Sequence, residues 1–219
     1  MQAERPKQYL PLAGRCIIEH TLEVFLAHPG LRAIVVAVAL DDPYWPGLPS
    51  SQLEQVMTAP GGAQRAESVL NGLLKLQEAG AEPDDWVLVH DAVRPNLAVA
   101  DLDRLLVALA DDEVGGILAA PVRDTLKRSD GAARIRETVD RSELWQAFTP
   151  QMFRLGMLQT CLAESLAAGF GPTDEAAALE WAGYSPQLVM GRTDNIKITR
   201  PEDLQWMQRH FQKGHLLDE

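Results

Sequence analysis

The sequence predicts an α/β fold, with a layered sheet of mostly parallel strands. Short apolar runs of strand length alternate with segments whose apolar residues have helical spacing, a pattern typical of parallel layered sheets. One run, Trp86–Val89, is rich in β-branched residues and lacks polar alternation. Such a run indicates a strand that is buried on both faces. The alternation breaks once, over residues 122–143.

Length and composition narrow the possible functions. The 219 residues suffice for a single sizeable domain, and no repeat or linker divides them. A net charge of −11 argues against general binding to nucleic acid or to anionic membranes, although it leaves room for a local basic pocket. No apolar run has membrane-spanning length. Two isolated cysteines, Cys16 and Cys161, and no signal peptide fit a reducing cytoplasm.

Periodicity predicts the individual elements in order. Helices are expected over residues 15–28, 66–76, 99–110, 155–168 and 174–182, and from Pro201 onwards. Strands are expected over residues 32–40, 56–57, 86–89, 116–121, 187–190 and 195–199, and the first of these is expected to be buried.

Residues 122–143 have no convincing helical face and carry a turn signal at Ser129, Asp130 and Gly131. The segment is too long for an ordinary connection in a compact domain. It is therefore either a disordered loop or a projecting β-hairpin. Because an isolated hairpin is marginally stable in water, a hairpin here would need a surface to pack on, and a second copy of the chain is the simplest candidate.

The strand at Trp86–Val89 ends in a polar cluster of His90, Asp91 and Arg94, before Pro95. In open parallel sheets, ligands bind just beyond the carboxyl ends of the strands. Asp91 therefore lies where a ligand or a metal ion would bind. The alternative is that Asp91 forms a turn and Arg94 is its ion-pair partner.

Five cations lie in short, unusual contexts: Lys7 in PKQY, Arg65 in GGAQRAES, Arg94 in DAVRP, Arg141 in TVDR and Lys197 in NIKIT. Alternation places Lys197 opposite Ile196 and Ile198, so it is either a functional cation or part of a solvated strand face.

Two helix starts could also contribute to a site. Gly61 and Gly62 precede a predicted helix, and the N–H groups of such a turn can hold an anion, although a glycine pair is also an ordinary turn. Thr173 and Asp174 begin a later helix, where a plain N-cap is the simpler interpretation.

Taken together, these segments carry a family resemblance. PKQY, GGxxRxxSV, VLVHDAVRP, APVRDTLKR, TVDRSELW, FTPQ, TDEAAALE and GRTDNIKITRPEDL occur in this order. The series resembles the IspD family, the 2-C-methyl-D-erythritol 4-phosphate cytidylyltransferases, over essentially the whole chain. The resemblance implies a Rossmann-like fold of the nucleotide-diphospho-sugar transferase type, with a β-arm at about residues 122–143 that exchanges across a homodimer.

The resemblance also implies an activity: transfer of a cytidylyl group from CTP to methylerythritol phosphate, with release of pyrophosphate and without a protein nucleophile. It implies that Lys7 stabilises the transition state and that Arg141 and Lys197 position the acceptor. Further substrate contacts are implied for Thr125, Thr173, Asp91, Arg94 and Thr149, and CTP contacts for Gly61, Gly62, Arg65, Ser68, Ala92 and Lys197. Mg²⁺, held mainly by phosphate oxygens, is expected near Asp91.

The chain departs from the family pattern in two places. Ala63 and Gln64 stand where the family usually has acids, with little expected effect. The family also begins with a strand and a phosphate loop of the form PAAGxGxRM, which includes a catalytic arginine, and Met1 aligns with the methionine of that motif. We expect an upstream segment to supply these parts, because a chain that began at Met1 would be a poor enzyme or none.

Two other functions compete with the leading one. The first is a related cytidylyltransferase that acts on another polyol phosphate, such as ribitol phosphate. The two activities would differ at the acceptor side, around Arg141, Thr125 and Thr173. The second is an inactive homologue, which would follow if the phosphate loop were truly missing.

Overall fold

The computed structural model describes the backbone of residues 5–214 and the side chains of residues 5–212. Met1, which aligns with the family motif, lies outside this range. The strands are β1 Pro11–Leu12, β2 Arg15–Cys16, β3 Ile34–Val38, β4 Val56–Pro60, β5 Trp86–Val89, β6 Gly115–Pro121, β7 Leu126–Ser129, β8 Ile135–Val139, β9 Trp145–Arg154 and β10 Gln187–Met190. The helices are α1 Ile17–Leu26, α2 Arg65–Glu78, α3 Val99–Leu109, α4 Leu155–Ala167, α5 Glu175–Trp181 and α6 Pro201–Gly214.

A four-stranded sheet in the order β10-β6-β9-β5 forms the centre of the molecule. β10 pairs with β6 in parallel, whereas β9 runs antiparallel to both β6 and β5. Three of the four strands therefore share one direction. β3 and β4 form a separate parallel pair. The predicted α/β class is confirmed, but β9 was not predicted and it makes the sheet mixed.

Helices cover both faces of the central sheet and form a three-layer α/β/α arrangement. On one face, α2, α4 and α5 pack on Val87, Ile117 and Phe153. On the other face, α1 and α3 pack on Leu118 and Met152. Successive residues of β5 enter opposite clusters, as predicted for a strand with two covered faces. None of the helices in the described range is long and apolar enough to cross a membrane.

β3 is less buried than predicted. Most of its residues are partly exposed, and Leu40 beyond its end is 90% exposed. The reason is that β3 has a hydrogen-bonded partner, β4, along one edge only within residues 5–214. Val36 and Val38 nevertheless pack against Tyr9 and Ile18.

The segment over residues 122–143 is a β-hairpin formed by β7 and β8, here called the arm. The two strands pair with each other and with no other strand in the described part of the chain. The turn begins at Asp130, whose N–H donates to the carbonyl oxygen of Arg134 at 3.0 Å. Ile135 is 69% exposed, so the arm leaves apolar surface uncovered. The hairpin alternative is therefore confirmed over the disordered loop.

The predicted strand at residues 195–199 is wrong. The segment is extended, but it forms no ladder with another strand of the described residues. Two bonds tie it to the loop after β5: the Ile198 N–H donates to the carbonyl oxygen of Val93 at 2.9 Å, and Nη1 of Arg94 donates to the carbonyl oxygen of Asn195 at 2.7 Å. The predicted alternation does hold, since Ile198 is fully buried and Lys197 is exposed. Apolar alternation in this segment thus reflects docking on a loop and on α6 rather than sheet pairing.

Candidate active site

The loop after β5 carries the centre of the candidate site. The side chain of Asp91 is only 10% exposed, and three cations converge on it. Its Oδ2 accepts a hydrogen bond from Nε of Arg94 at 3.1 Å and lies 3.2 Å from Nζ of Lys197. Its Oδ1 lies 3.6 Å from Nε of Arg65. Residues far apart in sequence thus meet on one carboxylate beyond the end of a strand, as the sequence predicts for Asp91.

The charge state of Asp91 follows from its surroundings. Burial by itself would raise the pKa of the carboxyl group, but Lys197, Arg65 and Arg94 together hold that pKa below its usual value. The group is therefore ionised at neutral pH. An ionised carboxylate fixes the positions of the three cations before any substrate arrives.

Arg65 is held by a second, fully buried carboxylate. Its Nη1 and Nη2 donate to Oε1 and Oε2 of Glu175 at 2.6 and 3.0 Å. Burial raises the pKa of Glu175, and the Arg65 guanidinium opposes this shift. Glu175 lies in the first turn of α5, where Asp174 is the N-cap and accepts from the N–H of Ala177 at 2.9 Å. The predicted N-cap is thus confirmed, and it orients the acid that anchors Arg65.

Lys197 lies on the extended segment over residues 195–199, and Lys7 contacts the same segment. The side chain of Lys197 is 41% exposed, and its ammonium group pairs with Asp91. Lys7 lies in a 3₁₀ turn, Lys7–Tyr9, and its Nζ donates to the carbonyl oxygen of Thr199 at 2.8 Å. The structure therefore brings both predicted catalytic lysines to one segment.

The glycine turn before α2 satisfies its own donors. The N–H of Gly62 donates to Oγ of Ser68 at 2.9 Å, and those of Ala63 and Gln64 donate to Oε2 of Glu67 at 2.6 and 3.2 Å. A Cβ on Gly62 would lie 2.3 Å from Cβ of Glu67, so glycine is required for this close approach. An anion bound at these N–H groups would have to displace the Glu67 carboxylate.

Three other predicted residues lie close to this centre. The N–H of Gly61 donates to the carbonyl oxygen of Val38 at 2.6 Å, which ties the glycine turn to β3. The carbonyl oxygen of Ala92 accepts from Oγ1 of Thr21 at 3.0 Å. Oγ1 of Thr149 accepts from the N–H of Asp91 at 3.1 Å, so this threonine is joined to the central loop.

The remaining predicted residues make no side-chain hydrogen bond or ion pair, within the described part of the chain, to the residues that meet at Asp91, here called the cluster. Thr173 is exposed immediately before α5. Thr125 and Arg141 are exposed at the two ends of the arm, and within the described residues no side-chain hydrogen bond or ion pair connects them to Asp91. One chain therefore gathers Asp91, Arg94, Arg65, Lys197 and Thr149, and leaves Thr125 and Arg141 outside.

The surroundings of Asp91 suit a cation held mainly by a ligand. Among the described residues, no group of three or more His, Cys, Asp or Glu side chains could hold a metal ion by itself. Oδ1 of Asp91 is the less engaged of its two oxygens and could supply one ligand. Mg²⁺ commonly binds through one or two carboxylates together with substrate phosphates and water, so these residues fit that mode and not an all-protein site.

Comparisons with known proteins identify the family. The family model for IspD, 2-C-methyl-D-erythritol 4-phosphate cytidylyltransferase, matches residues 1–212. A relative of that name from Pseudomonas aeruginosa is 64% identical over 211 residues, which cover 96% of this chain and 90% of the relative. Another, from Ectopseudomonas mendocina, is 64% identical over 209 residues, covering 95% and 89%.

Solved structures indicate the same family. A crystal structure of a 4-diphosphocytidyl-2C-methyl-D-erythritol synthase superposes with a TM-score of 0.85 at 40% identity, covering 94% of this chain and 95% of that one. The Francisella tularensis 2-C-methyl-D-erythritol 4-phosphate cytidylyltransferase superposes with a TM-score of 0.83 at 32% identity, covering 95% and 94%. The protein belongs to the IspD family of 2-C-methyl-D-erythritol 4-phosphate cytidylyltransferases.

Proposed function

We propose that the cluster around Asp91 is the place where this transferase brings CTP and its acceptor phosphate together. The chain is a CTP-dependent nucleotidyltransferase that converts 2-C-methyl-D-erythritol 4-phosphate to 4-diphosphocytidyl-2-C-methyl-D-erythritol in the non-mevalonate isoprenoid pathway. The observation that carries the location of the site is the convergence of Arg65, Arg94 and Lys197 on one buried carboxylate beyond a strand.

The reaction needs positioning and charge rather than a protein nucleophile. A phosphate oxygen of the acceptor forms a new bond to the α-phosphorus of CTP, while the bond from that phosphorus to the bridging oxygen breaks. Pyrophosphate leaves with the electron pair. Because negative charge accumulates on the transferring phosphoryl group, fixed cations stabilise the transition state.

The local charge suits two anionic substrates. Arg65, Arg94 and Lys197 face Asp91 and Glu175, which leaves one positive charge in a chain of net charge −11. Lys197 is the most exposed of these three cations, so it is the one that can move from Asp91 to a phosphate oxygen. Lys7, beside Thr199, supplies a further positive charge.

Mg²⁺ is proposed to enter with CTP and to take one ligand from Asp91. When bound, the ion would neutralise charge on the triphosphate. We expect CTP to bind about tenfold more tightly with Mg²⁺ than with a chelator, because the ion adds an ion pair with the Asp91 carboxylate. We expect Asp91→Asn to remove most of this gain in affinity. Calorimetric titration measures both affinities. Equal CTP affinity with and without Mg²⁺ would count against the metal.

The turn at Gly61 and Gly62, together with Ser68 and Ala92, is proposed to bind the cytidine. We expect strong preference for CTP over UTP, ATP and GTP, since a site that hydrogen-bonds particular base edges leaves its own groups unpaired with another base. The measurement is kcat/KM for each nucleotide with the same acceptor. Comparable kcat/KM for a purine nucleotide would refute the assignment of these residues to the cytidine site.

The arm is proposed to complete the site of a neighbouring copy. We propose a single catalytic domain over residues 1–219 that forms a homodimer by exchanging arms, with Thr125 and Arg141 reaching the acceptor in the partner's site. Two observations support this arrangement: Ile135 is exposed, and within the described residues no side-chain hydrogen bond or ion pair joins Arg141 to Asp91 of its own chain. The isolated thiols of Cys16 and Cys161 support the cytoplasm as the location.

A further inference from the structure

Four hydrogen bonds, each made by at least one side chain, form a closed ring next to Asp91. Oγ1 of Thr149 lies 2.9 Å from Nδ1 of His90, and Nε2 of His90 lies 3.1 Å from the carbonyl oxygen of Arg94. Nη1 of Arg94 donates to the carbonyl oxygen of Asn195 at 2.7 Å, and Nδ2 of Asn195 donates to the carbonyl oxygen of Thr149 at 2.8 Å. The ring joins the loop after β5, the middle of β9 and the segment after β10.

The chemistry of the partners fixes the proton positions in this ring. A carbonyl oxygen only accepts, so Nε2 of His90 carries a proton and donates it to Arg94. Nδ1 is then an acceptor, and the hydroxyl of Thr149 donates to it. The same hydroxyl oxygen accepts from the N–H of Asp91 at 3.1 Å. Desolvation also lowers the pKa of His90 to about 4, which agrees with a neutral imidazole.

The imidazole therefore spans the turn that presents Asp91. At one end of the turn it fixes the Asp91 N–H through Thr149, and at the other end it fixes the carbonyl oxygen of Arg94 directly. The turn itself is closed by a bond from the Arg94 N–H to the carbonyl oxygen of Asp91 at 3.0 Å. Phe25 packs edge-on against the imidazole of His90, with 5.1 Å between the ring centroids.

We propose that His90 is a positioning residue of the transferase, which holds the Asp91 turn through Thr149 and Arg94 without touching either substrate. It thereby keeps the Asp91 carboxylate at the point where Arg65, Arg94 and Lys197 meet. This inference rests on the role proposed for Asp91. A displacement of about 1 Å at a reacting site costs on the order of a hundredfold in rate, so a residue of this kind affects turnover more than substrate affinity.

Variants of His90 and Thr149 test the relay. His90→Ala removes both ring nitrogens, His90→Asn keeps an acceptor near the Nδ1 position, and Thr149→Val removes the hydroxyl at similar shape. We expect kcat to fall about 10- to 100-fold in His90→Ala and in Thr149→Val, with KM for CTP changed less than about threefold. His90→Asn should recover about tenfold over His90→Ala. The matched control is His28→Ala, a largely buried histidine that pairs with Asp103 and makes no hydrogen bond to Asp91, Arg94 or Thr149 among the described residues, which should leave kcat unchanged.

The double variant His90→Ala with Thr149→Val separates a relay from two independent effects. If both residues act through one relay, the double variant should be no slower than the worse single variant by more than about threefold. Losses that multiply would overturn the relay, as would full kcat in His90→Ala while Asp91→Asn is inactive. Full activity in Asp91→Asn would instead refute the proposed role of Asp91. Circular dichroism accompanies each assay, and His90→Gln, which keeps the donor to Arg94, carries the test if His90→Ala fails to fold.

Discussion

Mixing Lys197→Ala and Arg141→Ala proteins, each nearly inactive alone, is expected to restore up to about a quarter of wild-type activity. If subunits exchange at random, half of the dimers contain one chain of each kind. In such a dimer, one site carries both lesions and the other carries neither. The measurement is turnover before and after mixing, with subunit exchange confirmed by a tag on one variant.

The expectation follows from the placement of the two cations. The ammonium group of Lys197 pairs with Asp91 in its own chain. Arg141 lies exposed at the base of the arm, and within the described residues its side chain makes no hydrogen bond or ion pair to Asp91. If Arg141 serves the neighbouring subunit, each site takes Lys197 from one chain and Arg141 from the other. If Arg141 served its own chain, every site in every dimer would keep a lesion.

A second mixture provides the matched control. Lys7 contacts the segment that carries Lys197 in the same chain, through the bond from Lys7 to Thr199. Mixing Lys7→Ala with Lys197→Ala should therefore restore nothing, because each site in a mixed dimer keeps one of the two lesions. Recovery in both mixtures, or in neither, would contradict arm exchange and leave the cytidylyltransferase assignment intact.

Lys197→Ala and Lys7→Ala are each expected to lower turnover by about two to three orders of magnitude, the scale of losing one preorganised transition-state donor. Neither lysine side chain is buried, so the fold should survive. Steady-state kinetics beside circular dichroism measure both effects. Near-normal turnover in either variant would identify that lysine as a solvated surface residue.

Two further variants calibrate this result. Lys75→Ala removes a surface lysine paired with Glu78, far along α2, and should change neither turnover nor stability. Arg65→Ala should lose activity and also about 3 kcal/mol of stability, since it leaves the carboxylate of Glu175 buried without its partner. The contrast separates cations that act only on substrates from one that also holds the fold together.

The sequence predicted all six α-helices of the described residues and five of the strands, because apolar periodicity is a local signal. It failed at β9, where Pro150 argues against a central strand. The structure accommodates the proline in an irregular stretch: β9 pairs Gln151 with Ile117 and Ala147 with Ala119, so Phe148–Pro150 bulge out of the ladder. Partner strands that permit such a bulge lie far away in sequence, and no local pattern indicates them.

The candidate site was predicted in part. Asp91 and Lys197 were recognisable because a polar residue after a buried strand, or a lysine between two isoleucines, is locally unusual. Glu175 was missed, since an acid in a first helical turn is ordinary and its burial against Arg65 is a tertiary fact. His90 was named in the polar cluster after the strand but was given no role, because its contribution depends on Thr149, 59 residues away.

The order of strands in the central sheet also determines how long β5 remains unpaired during translation. β5 is complete at Val89, yet within residues 5–214 its hydrogen-bonded partner is β9, which ends at Arg154, about 65 residues later. At ordinary translation rates of about 5–20 residues per second, β5 waits roughly 3 to 13 s for its partner. The arm emerges from the ribosome during this interval, before the sheet can close. Nascent chains therefore carry an open, apolar strand edge, and chaperone binding during translation should be strongest in that window.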